Sequence, residues 1–524
     1  MRRTSLDPRQ ALEGGMTIAL HAAASPEHPA IVSQAGDRSY DELNRHANQL
    51  ARALRARGIG EGAGVALSCT NRPEFVEVYA ATHRGGMRLT PINWHLTGEE
   101  VGYIVDNCEA RVFFADARFA DAAVVAARQA PEGALLVSIG GEIPGFIPYG
   151  DLLADQPPDD LEDPVRGTQM LYTSGTTGRS KGVYRRRAAV QALGEVGKRM
   201  QHRAFEDVNL CTGPLYHAAP LAFSLTIPLL SGATVVLMDR WDAAQALRLV
   251  ERHRVTHTHM VPTMFHRMLS LPDDVRRGPD LSSLRVVLHG AAPCPVHVKQ
   301  SLIDWLGPIV YEYYAATEGW GSFVTSEQWL ERPGTVGKPD EGQIEIRDDE
   351  GAPVPSGIVG RIFLKAPEDD TRFSYFKDEA KTGSSYDPAG GYFTLGDMGY
   401  VDEAGYLYLC DRSADIIISG GVNIYPAEID AVLLGHSAVR DVCCIGVPDE
   451  EWGEAVLSVV ELADGYVGDD ALVAELIAHV RDRLAHYKCP RSVEFTGSLP
   501  RLDSGKIQRR KVRDPYWQGR GRQI

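Results

Sequence analysis

The segment LYTSGTTGRSKGV, which runs from Leu171 to Val183, has a composition suited to binding phosphate groups. Its glycines let the backbone turn tightly and present N–H groups, its hydroxyl side chains add donors, and its lysine adds a positive charge. It is not a Walker A loop, because that motif needs a glycine where Ser180 stands and a hydroxyl group where Gly182 stands. The segment therefore predicts a phosphate-binding loop made of Thr173, Ser174, Gly175, Thr176, Thr177, Gly178 and Lys181.

This segment resembles the phosphate-loop signature of the adenylate-forming superfamily, which contains acyl-CoA synthetases, adenylation domains of peptide synthetases and firefly-type luciferases. Other segments resemble the same family in the family's own order, and together they cover the chain from about residue 17 to residue 512. They are GPLYH ending at His217, GAAP from Gly290, YYAATEG ending at Gly319, GYFTLGD ending at Asp397, DRSADIIISGGVNIYPAEID from Asp411, and PRLDSGKIQRR from Pro500. The chain is identified as resembling an acyl-CoA synthetase, or fatty-acid–CoA ligase, of this superfamily.

Two of these motifs suit the metal and the sugar of a nucleotide. The Glu318 carboxylate beside the Thr317 hydroxyl suits a magnesium ion that also binds ATP phosphates. The resemblance implies that Glu318 is the magnesium ligand and that Thr317 contacts the α-phosphate. The Asp397 carboxylate offers two acceptor oxygens for the ribose hydroxyls, and the resemblance implies that Arg412 reinforces this contact.

The adenine site is predicted at small residues next to an aromatic one. Gly290, Ala291 and Ala292 leave space for a flat ring, and Tyr314 is available to stack on it.

Four further residues acquire roles mainly through the resemblance. Lys506 is implied to enter the active site and stabilise the charge that develops as acyl-adenylate forms. His217, which precedes an apolar helix, is expected to gate the acyl pocket. Gly420 and Gly421 are expected to form a narrow tunnel for the thiol of coenzyme A, since glycine lets a ligand pass close to the backbone.

The chain departs from the family pattern at a few positions. Ala315 and Leu395 replace a glycine and a threonine near the nucleotide motifs, and Leu502 replaces a threonine. Ala414 stands where many members have a hinge aspartate or lysine, which leaves the hinge residue open but not the domain rotation, since hinges need a tolerant backbone.

These observations predict an ATP-dependent acyl-CoA synthetase that uses ATP, magnesium and coenzyme A. The helix AAPLAFSLTIPLL after His217 offers mostly small and aliphatic side chains and no arginine or lysine, which favours an apolar acid such as a medium- or long-chain fatty acid or a bulky alicyclic or steroid-derived acid. Two alternatives remain: a stand-alone acyl-AMP ligase that loads a carrier protein, and a non-catalytic nucleotide-binding homologue.

The order of helical and strand patterns predicts an α/β fold. Helices such as the one from Ser39, with Glu42 as its capping partner, alternate with apolar strands, which is typical of mostly parallel sheets. From about residue 340 short strands predict a β-rich subdomain, and a small C-terminal α/β domain follows. We expect a loose extension over residues 1–15, a large N-terminal AMP-binding domain over 16–411, and a mobile C-terminal domain over 412–524 that carries the catalytic lysine.

Composition limits the partners. The 524 residues carry a net charge of −16, which disfavours nucleic acid or an anionic bilayer as the main partner. Eight cysteines without a C-x-x-C pair fit a reducing cytoplasm. Residues 208–238 carry no formal charge, but Pro214, Pro220, Pro228 and Gly232 interrupt them, so we predict a core helix and strand in place of a membrane span. A homodimer is left open.

Overall fold

A computed structural model describes residues 7–173, 180–187, 197–367, 370–502 and 505–518. Its contacts divide the chain into two compact units. Unit 1 comprises Met1–His259, Leu271–Val287 and Pro367–Ser384, and unit 2 comprises Met260–Ser270, Leu288–Ala366 and Ser385–Ile524. The mixed helices and sheets of both units confirm the predicted α/β class.

Unit 1 consists of helices that alternate with short, mostly parallel strands. Its helices are Pro8–Glu13, Thr17–Ala24, Tyr40–Arg55, Pro73–Gly85, Gly98–Asn107, Ala120–Ala127, Tyr149–Leu153, Pro220–Thr226, Ile227–Leu230, Ala243–His253, Asp273–Arg277 and Glu379–Ser385, the last ending at the division between units, with a 3-10 turn at Ala117–Phe119. Its strands are Pro29–Val32, Arg38–Ser39, Gly64–Ser68, Arg88–Ile92, Ala110–Asp116, Leu135–Ile139, Ile147–Pro148, Thr168–Gln169, Leu171–Thr173, Lys181–Tyr184, Val208–Cys211, Thr234–Leu237 and Ser374–Tyr375; His257–Met260 and Val286–His289 end at the division between units.

Local sequence signals explain the first helices of unit 1. The Ser39 side chain accepts the N–H of Glu42 while the Glu42 carboxylate accepts the N–H of Ser39, so the predicted capping box is confirmed. Thr97 and Glu100 form the same arrangement two helices later, at the start of Gly98–Asn107. In the first of these helices the apolar stripe is fully buried in the main core, and it comprises Leu43, Ala47, Leu50 and Leu54.

Two parallel sheets and one small antiparallel sheet organise unit 1. One sheet has the order Ile147–Pro148, Leu135–Ile139, Ala110–Asp116, Gly64–Ser68, Arg88–Ile92, Thr168–Gln169, and all its pairings are parallel. In the second, His257–Met260, Val208–Cys211, Thr234–Leu237 and Pro29–Val32 lie parallel in that order, with Arg38–Ser39 antiparallel at the edge. The third pairs Leu171–Thr173 with Lys181–Tyr184 and the latter with Ser374–Tyr375.

The uncharged stretch 208–238 forms core elements, as predicted. It contains the strand Val208–Cys211, a π-helix over Pro220–Thr226 that continues as Ile227–Leu230, and the buried strand Thr234–Leu237. Among the described residues, no helix has both the length and the apolar character that crossing a bilayer requires.

The prediction of a loose N-terminal extension is wrong for its described part. Pro8–Glu13 is a helix whose first turn is capped by Asp7, which accepts the N–H of Arg9. Ala11 is fully buried in a small apolar cluster with Met16 and Ala19. Apolar packing therefore orders a segment that the sequence pattern alone did not assign to the core.

Unit 2 contains a β-rich part and a second α/β part. Its helices are Pro262–Leu269, Val296–Leu306, Ser326–Glu331, Pro426–Leu433, Asp470–Arg481 and Arg509–Trp517, with 3-10 turns at Ser413–Asp415 and His486–Lys488. Its strands are Val310–Ala316, Gly319–Val324, Ile344–Arg347, Gly360–Lys365, Tyr392–Phe393, Asp397–Val401, Leu407–Arg412, Ile417–Ser419, Val422–Ile424, Val439–Asp449, Gly453–Leu462 and Ser492–Thr496.

The β-rich subdomain predicted from residue 340 is an antiparallel sheet. It runs in the order Ile344–Arg347, Gly360–Lys365, Asp397–Val401, Leu407–Arg412, with Tyr392–Phe393 beside the second strand. Beyond Arg412 a separate sheet centres on the long hairpin Val439–Asp449 and Gly453–Leu462, and Ser492–Thr496 lies parallel to its second strand. The helix Asp470–Arg481 packs its apolar side chains on this sheet, with Leu476 and Val480 fully buried. The contacts group this C-terminal part with Leu288–Ala366, so the boundary near residue 411 stays a prediction.

Unit 2 encloses a charged pair that the sequence did not reveal. The fully buried Lys299 ammonium lies 2.7 Å from an Oε2 oxygen of Glu312 and 5.0 Å from the centre of the Trp329 ring. The His289 Nε2 atom lies 3.6 Å from the same carboxylate oxygen. Since a buried charge needs an opposite charge beside it, each member of this pair depends on the other.

We predict that Glu312→Gln lowers the free energy of unfolding by about 3 to 5 kcal/mol, because it leaves the Lys299 ammonium buried without its carboxylate. The double variant Lys299→Met/Glu312→Met removes both charges at similar volume, so it should recover most of that loss. Urea unfolding of the two variants and the parent measures both effects. A double variant as unstable as Glu312→Gln would contradict this account.

Candidate functional site

The described flanks of the predicted phosphate loop lie on two paired strands of unit 1. Thr173 ends the first strand, Lys181 begins the second, and the two residues are register partners. Ser174, Gly175, Thr176, Thr177 and Gly178 lie outside the described residues. The Lys181 ammonium lies 2.9 Å from an oxygen of Asp378, a partner that the sequence analysis missed because the two residues are far apart in the chain.

In unit 2, Thr317 and Glu318 are the two turn residues of a tight hairpin. The strands Val310–Ala316 and Gly319–Val324 pair antiparallel, and Ala316 and Gly319 are the last register partners before the turn. Glu318 is only 8% exposed although it lies in a turn. A two-residue turn between paired strands holds both side chains at a defined position.

The Asp397 carboxylate is held from two sides. The Tyr314 hydroxyl donates a hydrogen bond of 2.7 Å to its Oδ2, and the Arg412 Nε lies 3.3 Å from its Oδ1. Asp397 and Arg412 are register partners on neighbouring antiparallel strands, so the sheet itself places them together. Burial raises the pKa of the Tyr314 hydroxyl, and the Asp397 charge adds to this shift, so the phenol remains a donor. The sequence analysis assigned Tyr314 to adenine stacking and missed this hydrogen bond.

The small residues predicted to bind adenine have a local structural reason as well. A Cβ at Gly290 would lie 2.6 Å from the Tyr313 carbonyl oxygen, so only glycine fits there. Ala291 has a φ of 66°, a left-handed conformation that is uncommon for alanine. Ala292 follows, partly buried. Adenine binding by these residues stays a prediction.

Lys506 lies in an electrostatic environment made by the same unit. The Leu502 N–H donates to the Lys506 carbonyl, and Arg501 and Ile507 form an antiparallel bridge around it. Burial and, after it, the Arg412 charge lower the pKa of Lys506, the Asp397, Asp415 and Glu318 carboxylates oppose them, and the resulting pKa is about 8. The predicted catalytic lysine, Lys506, therefore interacts electrostatically with the predicted ribose carboxylate, Asp397, and with the predicted metal ligand, Glu318.

Asp415 is a member of this charge environment that the sequence analysis did not single out. It lies in the turn Ser413–Asp415, where Ala414 occupies the usual hinge position. The carbonyl of Ala414 accepts a hydrogen bond of 2.8 Å from Arg513, and Arg509 lies 3.9 Å from the Asp415 carboxylate.

His217 lies in unit 1, at the start of the apolar helix, and it is half-buried. Its ring centre is 4.6 Å from that of Tyr216, which in turn makes an edge contact with Trp94. Leu221 and Leu225 of the helix belong to the main core, so much of the helix is a core element and only part of it is available to line a pocket. The gating role of His217 stays a prediction.

Gly420 and Gly421 form the turn of a second tight hairpin, between Ile417–Ser419 and Val422–Ile424. Their φ angles are 58° and 79°, which L side chains rarely adopt. A Cβ at Gly420 would lie 2.5 Å from the Trp452 ring, whereas a Cβ at Gly421 would have nothing within 4 Å. The turn alone explains why both residues are glycine, and their contact with coenzyme A stays a prediction.

Comparison with known proteins defines the class to which this site belongs. A family model described as AMP-binding enzyme matches residues 18–368, and one described as AMP-binding enzyme C-terminal domain matches residues 428–506. The chain is 36% identical over 504 residues to a feruloyl-CoA synthase of Amycolatopsis sp, covering 94% of this chain and 96% of that protein. It is 32% identical to the fatty acid–[acyl-carrier-protein] ligase ScoC of Streptomyces coeruleorubidus, covering 97% of each.

Solved structures agree with these relatives. The anthranilate CoA ligase AuaEII, in complex with anthranoyl-AMP, superposes with a TM-score of 0.87 at 25% identity and covers 96% of this chain and 97% of that one. The chain belongs to the AMP-binding enzyme family, within the adenylate-forming superfamily. More particularly, it is an AMP-forming acid–thiol ligase of the acyl-CoA synthetase group.

We predict that adenylation slows as the pH rises through about 8, because that is the pKa of Lys506 and only the ammonium form carries the required charge. The measurement is kcat/KM for ATP from pyrophosphate release between about pH 7 and about pH 10, since this ratio reports the free enzyme. Lys506→Arg keeps its charge throughout this range and should lose the alkaline limb. If kcat/KM of Lys506→Arg falls with rising pH as it does in the parent, the decrease comes from the titration of another group.

Proposed function

We propose that this protein is an ATP-dependent acyl-CoA synthetase that activates an apolar carboxylic acid through an acyl-adenylate. The acid carboxylate attacks the α-phosphorus of ATP, pyrophosphate leaves, and the thiol of coenzyme A then displaces AMP from the mixed anhydride. The observation that carries this proposal is the charge environment of Lys506, which includes Arg412, Asp397 and Glu318. Such preorganised charge favours a step in which negative charge shifts toward a leaving group.

Individual roles follow from the chemistry of each group. Lys506 stabilises the charge that develops as pyrophosphate departs. Asp397, whose orientation Tyr314 and Arg412 hold, accepts hydrogen bonds from the ribose hydroxyls. Thr317 donates to the α-phosphate.

The remaining ATP contacts rest on the family resemblance. Thr173 and Lys181, with the loop residues between them, bind the other phosphates. Gly290, Ala291 and Ala292 make room for adenine.

Glu318 is the residue that we propose holds magnesium. Among the described residues there is no group of three His, Cys, Asp or Glu side chains that could enclose an ion. This fits magnesium, which is commonly held by one or two carboxylates together with substrate phosphates. When bound, the ion supplies positive charge that offsets the negative charge of the phosphates.

The acid is proposed to be apolar and singly charged. The uncharged stretch 208–238 includes the helix after His217, and it offers no arginine or lysine for a second carboxylate. The fatty acid named for ScoC supports a fatty acid, which we propose is of medium or long chain, and a bulky alicyclic or steroid-derived acid has the same apolar, singly charged character.

An aromatic acid is a second candidate, because several aromatic side chains contact one another next to His217. The His217 ring adjoins that of Tyr216, which contacts Trp94. Trp94 in turn stacks on Phe119, with ring centres 4.8 Å apart. Aromatic rings pack well against aryl substrates. The names of the feruloyl-CoA and anthranilate relatives support this candidate.

Coenzyme A is proposed as the acceptor, although ScoC is named for an acyl-carrier protein. Loading of a carrier protein remains the alternative. A non-catalytic role is disfavoured because Lys181, Glu318, Asp397 and Lys506 are all present. We propose that residues 412–524 form a mobile domain whose rotation withdraws Lys506 and brings Gly420 and Gly421 to the adenylate.

The test of this function is a panel of carboxylic acids, with AMP production followed in the presence and absence of coenzyme A. Fatty acids of graded length, one alicyclic acid, ferulate and anthranilate separate the acid classes, and a carrier protein with its pantetheine arm replaces coenzyme A in a parallel series. We expect coenzyme A-dependent AMP with apolar acids. Turnover with the carrier alone would select the acyl-AMP ligase, and no pyrophosphate with any acid would select a non-catalytic homologue.

The same assay divides the two half-reactions. Lys506→Ala should slow adenylation by on the order of a hundredfold to a thousandfold, because one preorganised charge is lost. The variant should still convert supplied acyl-AMP and coenzyme A to product. Equal loss in both half-reactions would contradict the proposal that residues 412–524 rotate and withdraw Lys506 between them.

We also predict that Gly421→Leu blocks thioester formation and spares adenylation, because the isobutyl group fills the proposed thiol path. Gly421→Ala is the matched control, since it imposes the same backbone strain, on the order of 1 to 3 kcal/mol, without the larger side chain. Acyl-AMP and acyl-CoA formation are compared in both variants once each is shown to be folded. Equal behaviour of alanine and leucine would mean that only the turn matters at this position.

A further inference from the structure

Asp378 pairs with Lys181 in unit 1, and no motif of the family resemblance includes it. The Lys181 ammonium lies 2.9 Å from the Asp378 Oδ2 and 5.9 Å from the centre of the Tyr375 ring. The pairing follows from the sheet, because Val183 and Tyr375 are register partners on antiparallel strands. The fold therefore places the Asp378 carboxylate within ion-pair distance of the Lys181 ammonium.

The aspartate is the fixed member of the pair. The Phe376 N–H donates to the Gly182 carbonyl at 2.8 Å, which joins the segment to the strand of Lys181. The Thr382 hydroxyl accepts the Tyr375 N–H and donates to the Asp378 carbonyl. The second carboxylate oxygen, Oδ1, accepts the Lys381 N–H at 2.9 Å.

The lysine is the movable member. Its ammonium ends a flexible four-carbon chain and carries three N–H donors. The Asp378 side chain is 34% exposed, so water can solvate its carboxylate when the ammonium leaves. With the Lys181 side chain 19% exposed, the pair as a whole is partly exposed, and ion pairs near the surface contribute little free energy.

We propose that Asp378 is a positioning residue that occupies the Lys181 ammonium in the nucleotide-free enzyme and is displaced by an ATP phosphate, so that it sets the affinity for ATP. This inference rests on the proposed phosphate-binding role of Lys181. A carboxylate and a phosphate oxygen are both anionic acceptors for an ammonium, and the two anions repel each other when both are close to it. Breaking the pair on binding subtracts its energy from the affinity for ATP.

The direction of the effect separates this proposal from a simple supporting role. If ATP displaces Asp378, removal of the carboxylate strengthens ATP binding. If Asp378 only steadies Lys181 while both contact ATP, its removal weakens binding. The expected size is about two- to fivefold in the dissociation constant, the range of an exposed ion pair.

The test is calorimetric titration of the full-length protein with ATP in magnesium-containing buffer. Asp378→Asn keeps an oxygen that can accept the Lys381 N–H, and Asp378→Ser keeps a capping hydroxyl, so both should fold. Both variants should bind ATP about two- to fivefold more tightly than the parent. Glu379→Gln removes the same charge one residue away, at an exposed position, and should leave ATP binding unchanged. An unchanged or weakened affinity in the Asp378 variants would overturn the proposal.

The Lys181→Met variant makes failure of the proposed function distinguishable. It should weaken ATP binding, and adding Asp378→Asn to it should have no more effect than adding Glu379→Gln. If Lys181→Met leaves ATP binding unchanged, the phosphate role of Lys181 is wrong. If Lys181→Met weakens binding but the double variant still gains from Asp378→Asn, the aspartate acts independently of the lysine and the exchange is wrong.

Discussion

The Lys506 ammonium and the Arg412 guanidinium are two like charges in one partly buried environment at the centre of the candidate site. Burial and the guanidinium both lower the pKa of the lysine, and it remains near 8 because Asp397, Asp415 and Glu318 oppose them. Each of these carboxylates has another assigned or observed partner, so the balance depends on the whole arrangement. An anionic substrate would shift it toward the charged lysine, since an opposite charge favours the ammonium form.

The backbone of unit 2 makes this arrangement possible. Antiparallel register places Arg412 beside Asp397, and a two-residue turn presents Glu318. Tyr314, on the strand before that turn, completes the hydrogen bonding of Asp397. On the same strand, Glu312 pairs with the buried Lys299, so a charged pair in the interior supports the strand that carries the site. Stability and charge placement are therefore coupled through one strand.

Lys181 in unit 1 is a second lysine whose positive charge lies near a carboxylate. Lys181, which we propose binds a phosphate of ATP, has the partly exposed Asp378 carboxylate beside it in the structure, and ion pairs of this kind are weak. At Lys506, by contrast, three carboxylates together oppose the lowering of its pKa. A partly exposed carboxylate suits the ligand exchange that we propose for Lys181, whereas several opposing carboxylates suit the controlled protonation that we propose for Lys506.

Local signals in the sequence were sufficient for the class of fold, the capping boxes at Ser39 and Thr97, the core character of residues 208–238 and the order of the family motifs, because each depends on neighbours within a few residues or on composition. Asp378, the hydrogen bond from Tyr314 to Asp397 and the depressed pKa of Lys506 were decided by tertiary structure. Each of these joins residues from distant parts of the chain, and strand register or burial sets it. The helix Pro8–Glu13 belongs to the same group, since packing against Met16 and Ala19 orders it. Sequence patterns report the local preference of a segment, but the charge state and partner of a side chain depend on what the fold places around it.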